Sequence, residues 1–156
     1  MKQKKLLLIS SIGGHLTQLL QLEGLFKNYQ YHLVTEKSEI TEQLMEKYPV
    51  SLLMYGARNY PIRYIYKFTY NTIKSLCIFL KHRPDIIITT GAHTAVPMCY
   101  LAKLFGRKII FIESFAKSTS PTLSGRMVYP ISDLFIVQWE SMKKVYPKAV
   151  YGGSIY

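Results

Sequence analysis

Acidic residues are scarce in this chain, and the scarcity is local. Nine Asp and Glu stand against 20 Lys and Arg, a net charge of +11, and no acid falls between residues 47 and 84. That stretch holds Lys47, Arg58, Arg63, Lys67, Lys74, Lys81 and Arg83. A patch of one sign needs an anionic partner: nucleic acid, phospholipid or a phosphorylated substrate. Cysteine is scarce too. Cys77 and Cys99 lie among apolar residues, at no spacing that suggests a metal site or a disulfide framework. This suits a reducing, cytosolic setting, and neither a metal nor a cofactor is expected. No apolar run reaches the roughly 18 residues that would span a bilayer. The basic lead Met1-Lys2-Gln3-Lys4-Lys5 imitates a signal peptide, but its apolar stretch is short and Gly13-Gly14-His15 follows at once. Repeats of solenoid period and low-complexity tracts are also missing.

What is present is an alternation of strand-like and helical runs. Strands are expected over 6–10, 31–35, 52–55, 85–89, 109–112 and 134–138, with a last short one beginning at Val150. Helices are expected over 15–26, 39–47, 61–81, 95–104 and 124–129. Several strands are continuous apolar runs, the mark of a parallel sheet covered on both faces. Short strand–helix connections give an α/β, Rossmann-like doubly wound fold, and 1–156 reads as one domain of ordinary length.

Three loops at the carboxyl ends of these strands are polar, where open α/β sheets bind ligands. The first, Gly13-Gly14-His15, opens a helix and presents backbone amides to a phosphate. The dinucleotide fingerprint G-x-G-x-x-G is absent, which leaves Glu36 as only a weak candidate for a ribose-binding acid. The second loop is Thr89-Thr90-Gly91-Ala92-His93-Thr94. The third starts at Glu113 and runs through Ser114 to Arg126 with six hydroxyls and two cations. Each alone is an ordinary polar turn; together they make one edge fit for an anionic or hydroxylated ligand. His15 and Glu113 are the candidate catalytic groups. Gly13, Gly14, Thr90, Gly91, His93 and Ser114 are the candidate substrate contacts.

The helix at 61–82 stands apart. Arg63, Lys67, Lys74 and Lys81 are spaced to fall on one line down it, beside a broad apolar arc with tyrosines crowded at one end. Basic residues edged by aromatics suit a helix lying in a lipid headgroup layer. A helix packed into its own sheet with solvated lysines is the plain alternative. No nucleic-acid motif accompanies the patch, and no nucleic-acid partner is expected.

Together the segments Ile9-Ser10-Ser11-Ile12-Gly13-Gly14-His15, Thr90-Gly91-Ala92-His93, Glu113-Ser114-Phe115-Ala116, Leu123-Ser124-Gly125, Tyr129-Pro130, Asp133 to Trp139 and Tyr151-Gly152-Gly153 resemble one family. It is the acceptor-binding, membrane-recruiting subunit of the two-part UDP-N-acetylglucosamine transferase of dolichol-linked oligosaccharide synthesis, with bacterial relatives in capsular and exopolysaccharide assembly. More distantly the chain looks like the N-terminal half of the glycosyltransferase that makes lipid II. The resemblance implies a GT-B glycosyltransferase split over two chains. This chain would bind a polyprenyl-diphosphate-linked saccharide, and a partner would carry the UDP-sugar site. The glycine loop would face the diphosphate, with His15 matching a histidine proposed as base and Glu113 an acid of the active cleft. Where the single-chain enzymes have a richer glycine loop, this chain has Ser10 and Ser11. A single domain agrees with half a cleft. Without the N-terminal anchor of eukaryotic members, attachment would be peripheral, at the cytoplasmic face of the cell membrane. Two rivals stay open: a non-catalytic scaffold that activates a competent partner, and a stand-alone nucleotide-binding enzyme.

Overall fold

The structure, a computed structural model, describes residues 3–56 and 61–155. Seven parallel strands form one sheet: β1 (Lys5–Ser10), β2 (Gln30–Glu36), β3 (Val50–Leu53), β4 (Ile86–Gly91), β5 (Lys108–Ile112), β6 (Leu134–Val137) and β7 (Val150–Tyr151). Their order is β3-β2-β1-β4-β5-β6-β7. The connecting helices are α1 (Gly14–Leu20), α2 (Glu23–Phe26), α3 (Glu39–Gln43), α4 (Pro61–His82), α5 (Val96–Leu104) and α6 (Leu123–Val128). The α/β doubly wound class read from the sequence is the one observed. The helix expected over 15–26 is two helices, broken at Gln21 and Leu22, and the break brings Phe26 against Tyr31 with ring centroids 4.8 Å apart. The helix expected over 39–47 ends in a 3-10 turn at Leu44–Glu46.

The strand order fixes where a ligand can sit. From β1 the chain moves outward through β2 to β3, then returns to place β4 on the other side of β1. The loops leaving β1 and β4 therefore diverge from adjacent strand ends, the topological switch point of an open α/β sheet.

Two cores lie on opposite faces of the sheet. On one face Leu7, Ile9, Ile87, Ile109, Phe111, Phe135 and Val137 pack with Met98, Cys99 and Ala102 of α5 and Val128 of α6. On the other, Leu6, Leu8 and Leu33 pack with Leu16 and Leu19 of α1 and with Phe26 of α2. Alternation of side chains along β1 sends neighbours to both cores, so a continuous apolar run is what that strand needs. The expected cover on both faces holds there and thins over β4, β5 and β6. Ile86, Ile88, Ile110, Leu134 and Ile136 are all only partly buried. Among the described residues, the cluster under α1 and α2 reaches Ile86 and Ile88 of β4 and includes no residue of β5 or β6.

The rotation of α4 is set by a polar residue. Asn71 is buried, and its side-chain amide exchanges two 2.8 Å hydrogen bonds with the backbone of Met54, just past β3. Asn71, Ser75, Ile78 and Phe79 thus form the inner face of the helix. Its apolar arc is turned outward: Ile65, Tyr66, Ile73 and Leu80 are each about half or more exposed.

Candidate active site at the switch point

His15, in the first turn of α1, is held by the strand end next to it. Its Nδ1 lies 2.7 Å from the Thr90 carbonyl, and the Thr90 hydroxyl donates to the His15 carbonyl at 2.6 Å. A carbonyl only accepts, so Nδ1 carries the proton and Nε2 of the neutral ring keeps its lone pair. Thr90, expected as a substrate contact, is fully buried and serves to orient His15. Gly91 makes the arrangement possible. Its φ of +101° lies where side chains are strained, and a Cβ there would sit 3.3 Å from the His15 ring and 3.4 Å from the Ser124 hydroxyl. Gly13 and Gly14 are exposed beside the ring, with open space around both.

Glu113 follows β5 and is 1% exposed. Four groups donate to its carboxylate. The Ser114 amide lies at 2.9 Å, the Thr122 amide at 3.2 Å, the Thr122 hydroxyl at 2.8 Å and the Tyr146 hydroxyl at 2.9 Å. Such saturation is what a buried carboxylate requires. Burial, and then the charge of Glu113, push the Tyr146 hydroxyl well above the usual tyrosine range, so Tyr146 stays a donor. Thr122 also caps α6 by accepting from the Gly125 amide at 2.9 Å. Gly125 has no room for a side chain: a Cβ would stand 2.6 Å from the Tyr146 hydroxyl and against the Glu113 carboxylate. The loop after Glu113 is fastened farther out by Trp139, whose indole donates to the Phe115 carbonyl at 2.6 Å. The buried Gln138 amide donates to the Glu113 carbonyl at 2.9 Å. Glu113 thus closes a loop around itself, and Ser114 contributes its backbone to that closure.

His93 begins the 3-10 turn that follows β4. Its Nε2 faces Glu36 Oε1 at 3.7 Å. Beside them lies a cavity of about 310 Å3 lined by Tyr64, Phe68, His93, Val96, Leu123, Ser124 and Met127. The structure therefore brings His15, Gly91, His93 and Ser124 to one edge, with Glu113 buried behind Ser124. Of the basic residues of α4, the side chain of Arg63 lies outside the described residues, and Lys74 and Lys81 lie farther along the helix than Lys67. Lys67 is turned to the Tyr55 carbonyl at 2.8 Å. Sequence reasoning missed Thr122, Tyr146 and Gln138, which are ordinary residues far along the chain from Glu113. Only the glycine of Leu123-Ser124-Gly125 hinted at a crowded position.

Residues 7–155 match the family described as "Oligosaccharide biosynthesis protein Alg14 like". The mouse UDP-N-acetylglucosamine transferase subunit ALG14 is 30% identical over 179 residues, covering 97% of this chain and 82% of the mouse protein. The Candida albicans protein of the same name is 45% identical over 95 residues, 57% of this chain and 42% of that one. Among solved structures, MurG of Acinetobacter baumannii superposes with a TM-score of 0.71 at 13% identity, covering 88% of this chain and 42% of MurG. A UDP-N-acetylglucosamine 2-epimerase from Rickettsia bellii gives 0.72 at 16% identity, over 94% of this chain and 42% of the epimerase. The chain thus spans less than half the length of these two enzymes, and likeness at such identity speaks for the fold, that of a GT-B N-terminal-type domain. On the match across nearly its whole length, the chain belongs to the Alg14 family.

Proposed function

We propose that this chain is the acceptor-binding and membrane-recruiting subunit of a two-chain, inverting, UDP-sugar-dependent glycosyltransferase. Its acceptor is a saccharide linked through diphosphate to a polyprenol, in capsular or exopolysaccharide synthesis. The observation that carries the reading is the fixed tautomer of His15. A neutral imidazole with Nδ1 bound to Thr90 offers Nε2 as the base that takes the proton of the acceptor hydroxyl. That hydroxyl then attacks the anomeric carbon of the donor in one displacement. Glu113, which accepts from four donors, positions the start of α6 that carries Ser124. Gly13, Gly14, Gly91, His93 and Ser114 border the acceptor.

The half-covered face of the sheet supports a donor-binding partner. Ile86, Ile88 and Ile110 line a largely apolar groove with Leu6, Leu8, Leu22 and Phe26. A contiguous apolar surface of this kind marks an interaction site. The outward arc of α4 supports contact with a membrane. Ile65, Tyr66, Ile73 and Leu80 form an exposed apolar stripe flanked by Lys67, Lys74 and Lys81. The attachment proposed through α4 is peripheral, at the cytoplasmic face of the membrane; no described helix is long and apolar enough to cross one. Three lysines at about 1 kcal/mol each give reversible attachment, and the apolar stripe adds to it.

The test reconstitutes the chain with a UDP-sugar-binding partner and follows sugar transfer to a diphosphate-linked lipid. Turnover is expected only with both chains, and His15→Ala is expected to lower it by about 100-fold or more. Full turnover by the partner alone in detergent would make this chain a scaffold. Tight UDP-sugar binding by this chain alone would make it a nucleotide-binding enzyme. Charge reversal at Arg63, Lys67, Lys74 and Lys81 is expected to abolish sedimentation with anionic vesicles; unchanged sedimentation would remove α4 from the membrane.

A further inference from the structure

Two carboxylates are buried at the ligand edge, and they are compensated differently. Glu113 receives four donors. Glu36, at the end of β2, is equally buried at 1% exposed but receives less. The Thr94 hydroxyl donates to its Oε1 at 2.6 Å, and the Ile12 amide lies at a long 3.5 Å from Oε2. Among the described residues the His93 ring also faces Glu36, with Nε2 at 3.7 Å from Oε1. Positive charge beside a buried carboxylate short of hydrogen bonds stabilises it, and an imidazolium at this distance would supply that charge. His93 is itself 20% exposed and lines the cavity of about 310 Å3. The other walls, Tyr64, Phe68, Val96, Leu123 and Met127, are apolar or aromatic, and the Ser124 hydroxyl is the polar group beside His93.

A single cation set in an apolar cavity recognises an amphiphile: an anionic group on the ring, an apolar portion against the walls. We propose that Glu36 is a positioning residue that holds His93 as an imidazolium, and that His93 takes a phosphate of an acceptor whose apolar portion lies in this cavity. This deepens the acceptor reading above and rests on it. The charged and titratable groups around His93, among the described residues, are few. Glu36 faces it from β2, and Tyr64 from α4 with ring centroids 5.6 Å apart. Lys67 lies at the Tyr55 carbonyl, next to the Gly56 that touches His93. His15 stands across Gly91. From α5 and α6, Val96, Leu123, Ser124 and Met127 bring no charge.

The experiment measures binding of farnesyl diphosphate, inorganic pyrophosphate and farnesol to the full chain by calorimetry, from about pH 5.5 to about pH 8.5. Farnesyl diphosphate is expected to bind more tightly than pyrophosphate, farnesol not at all, and affinity to fall as pH rises. Glu36→Gln is expected to move the midpoint of that fall to lower pH and to weaken binding about tenfold above neutrality, the loss of one charge-assisted contact. His93→Asn is expected to remove the part of the pH dependence that His93 carries. Gly56→Ala serves if Glu36→Gln does not fold. Its new methyl would stand 3.2 Å from His93 Nε2, pushing the ring while keeping both charges, and it is expected to act in the same direction. Wild-type binding with an unmoved midpoint in these variants would overturn the inference and leave the acceptor reading standing. Pyrophosphate bound as tightly as farnesyl diphosphate would overturn the cavity's part in it. A wild-type chain that binds none of the probes would overturn both.

Discussion

On the α5 side of the sheet, Ile87, Ile109, Phe111, Phe135 and Val137 are at most 3% exposed; on the reverse side, the alternate residues of the same strands, Ile86, Ile88, Ile110, Leu134 and Ile136, are all partly exposed. Both sets are apolar, so residue type does not separate them. What separates them is cover: α5 and α6 close the first face, whereas the cluster under α1 and α2 on the second reaches no farther than Ile86 and Ile88 of β4. An apolar face left half covered among the described residues is where the proposed partner would dock. The finished face stabilises the fold, and the unfinished one is available for association.

The contrast can be broken by mutation, starting where the effect is largest. Phe111 is fully buried and stacks on Phe135 with ring centroids 4.9 Å apart. Phe111→Ala is expected to lower stability by about 3–5 kcal/mol in urea unfolding, since a cavity remains as well as lost burial. At the carboxyl end of the same face, Gly125→Ala forces a methyl among Glu113, Thr122 and Tyr146. It is expected to cost about 1–3 kcal/mol and to expose the loop after Glu113 to proteolysis. On the open face, Ile110→Lys is expected to change stability by only about 1 kcal/mol or less and yet abolish capture of the donor-binding partner. Capture that survived would show that the partner docks elsewhere.

The smallest effect concerns the amino end of the closed face, where His32 of β2 stacks on His82 of α4 at 3.8 Å between centroids. Burial, and after it the charges of His82 and Lys81, hold His32 down to about 4 from an ordinary 6.5. The folded chain therefore binds fewer protons than the unfolded one in that window, and stability falls as pH drops from about 6.5 towards about 4. Above it this contribution is flat. His32→Gln is expected to flatten the acid limb of a melting-temperature profile, and an unchanged slope would exonerate the stack.

Much of this was legible in the chain. Continuous apolar runs such as Leu6 to Ile9 specify a parallel sheet, and Gly, His and hydroxyls after strands specify its ligand edge. The strand–helix alternation therefore yielded the class and most elements. What stayed hidden depends on who meets whom. Glu113 read as a candidate catalytic acid of the ligand edge, and its burial stayed out of view because Thr122 and Tyr146, which bond it, lie 9 and 33 residues away. Glu36 read as a weak ribose acid, because its partner Thr94 lies 58 residues on. The arc of α4 admitted either packing or exposure until Asn71 met Met54 and fixed the rotation of the helix. The sequence by itself determined the sheet, its polar edge and its basic helix, since periodicity and local composition act through neighbours along the chain. The tertiary structure alone decided which carboxylate is saturated, which is left to a histidine, and which apolar faces stay open. Those outcomes arise from contacts between distant residues, where each buried polar group must find its partner in space.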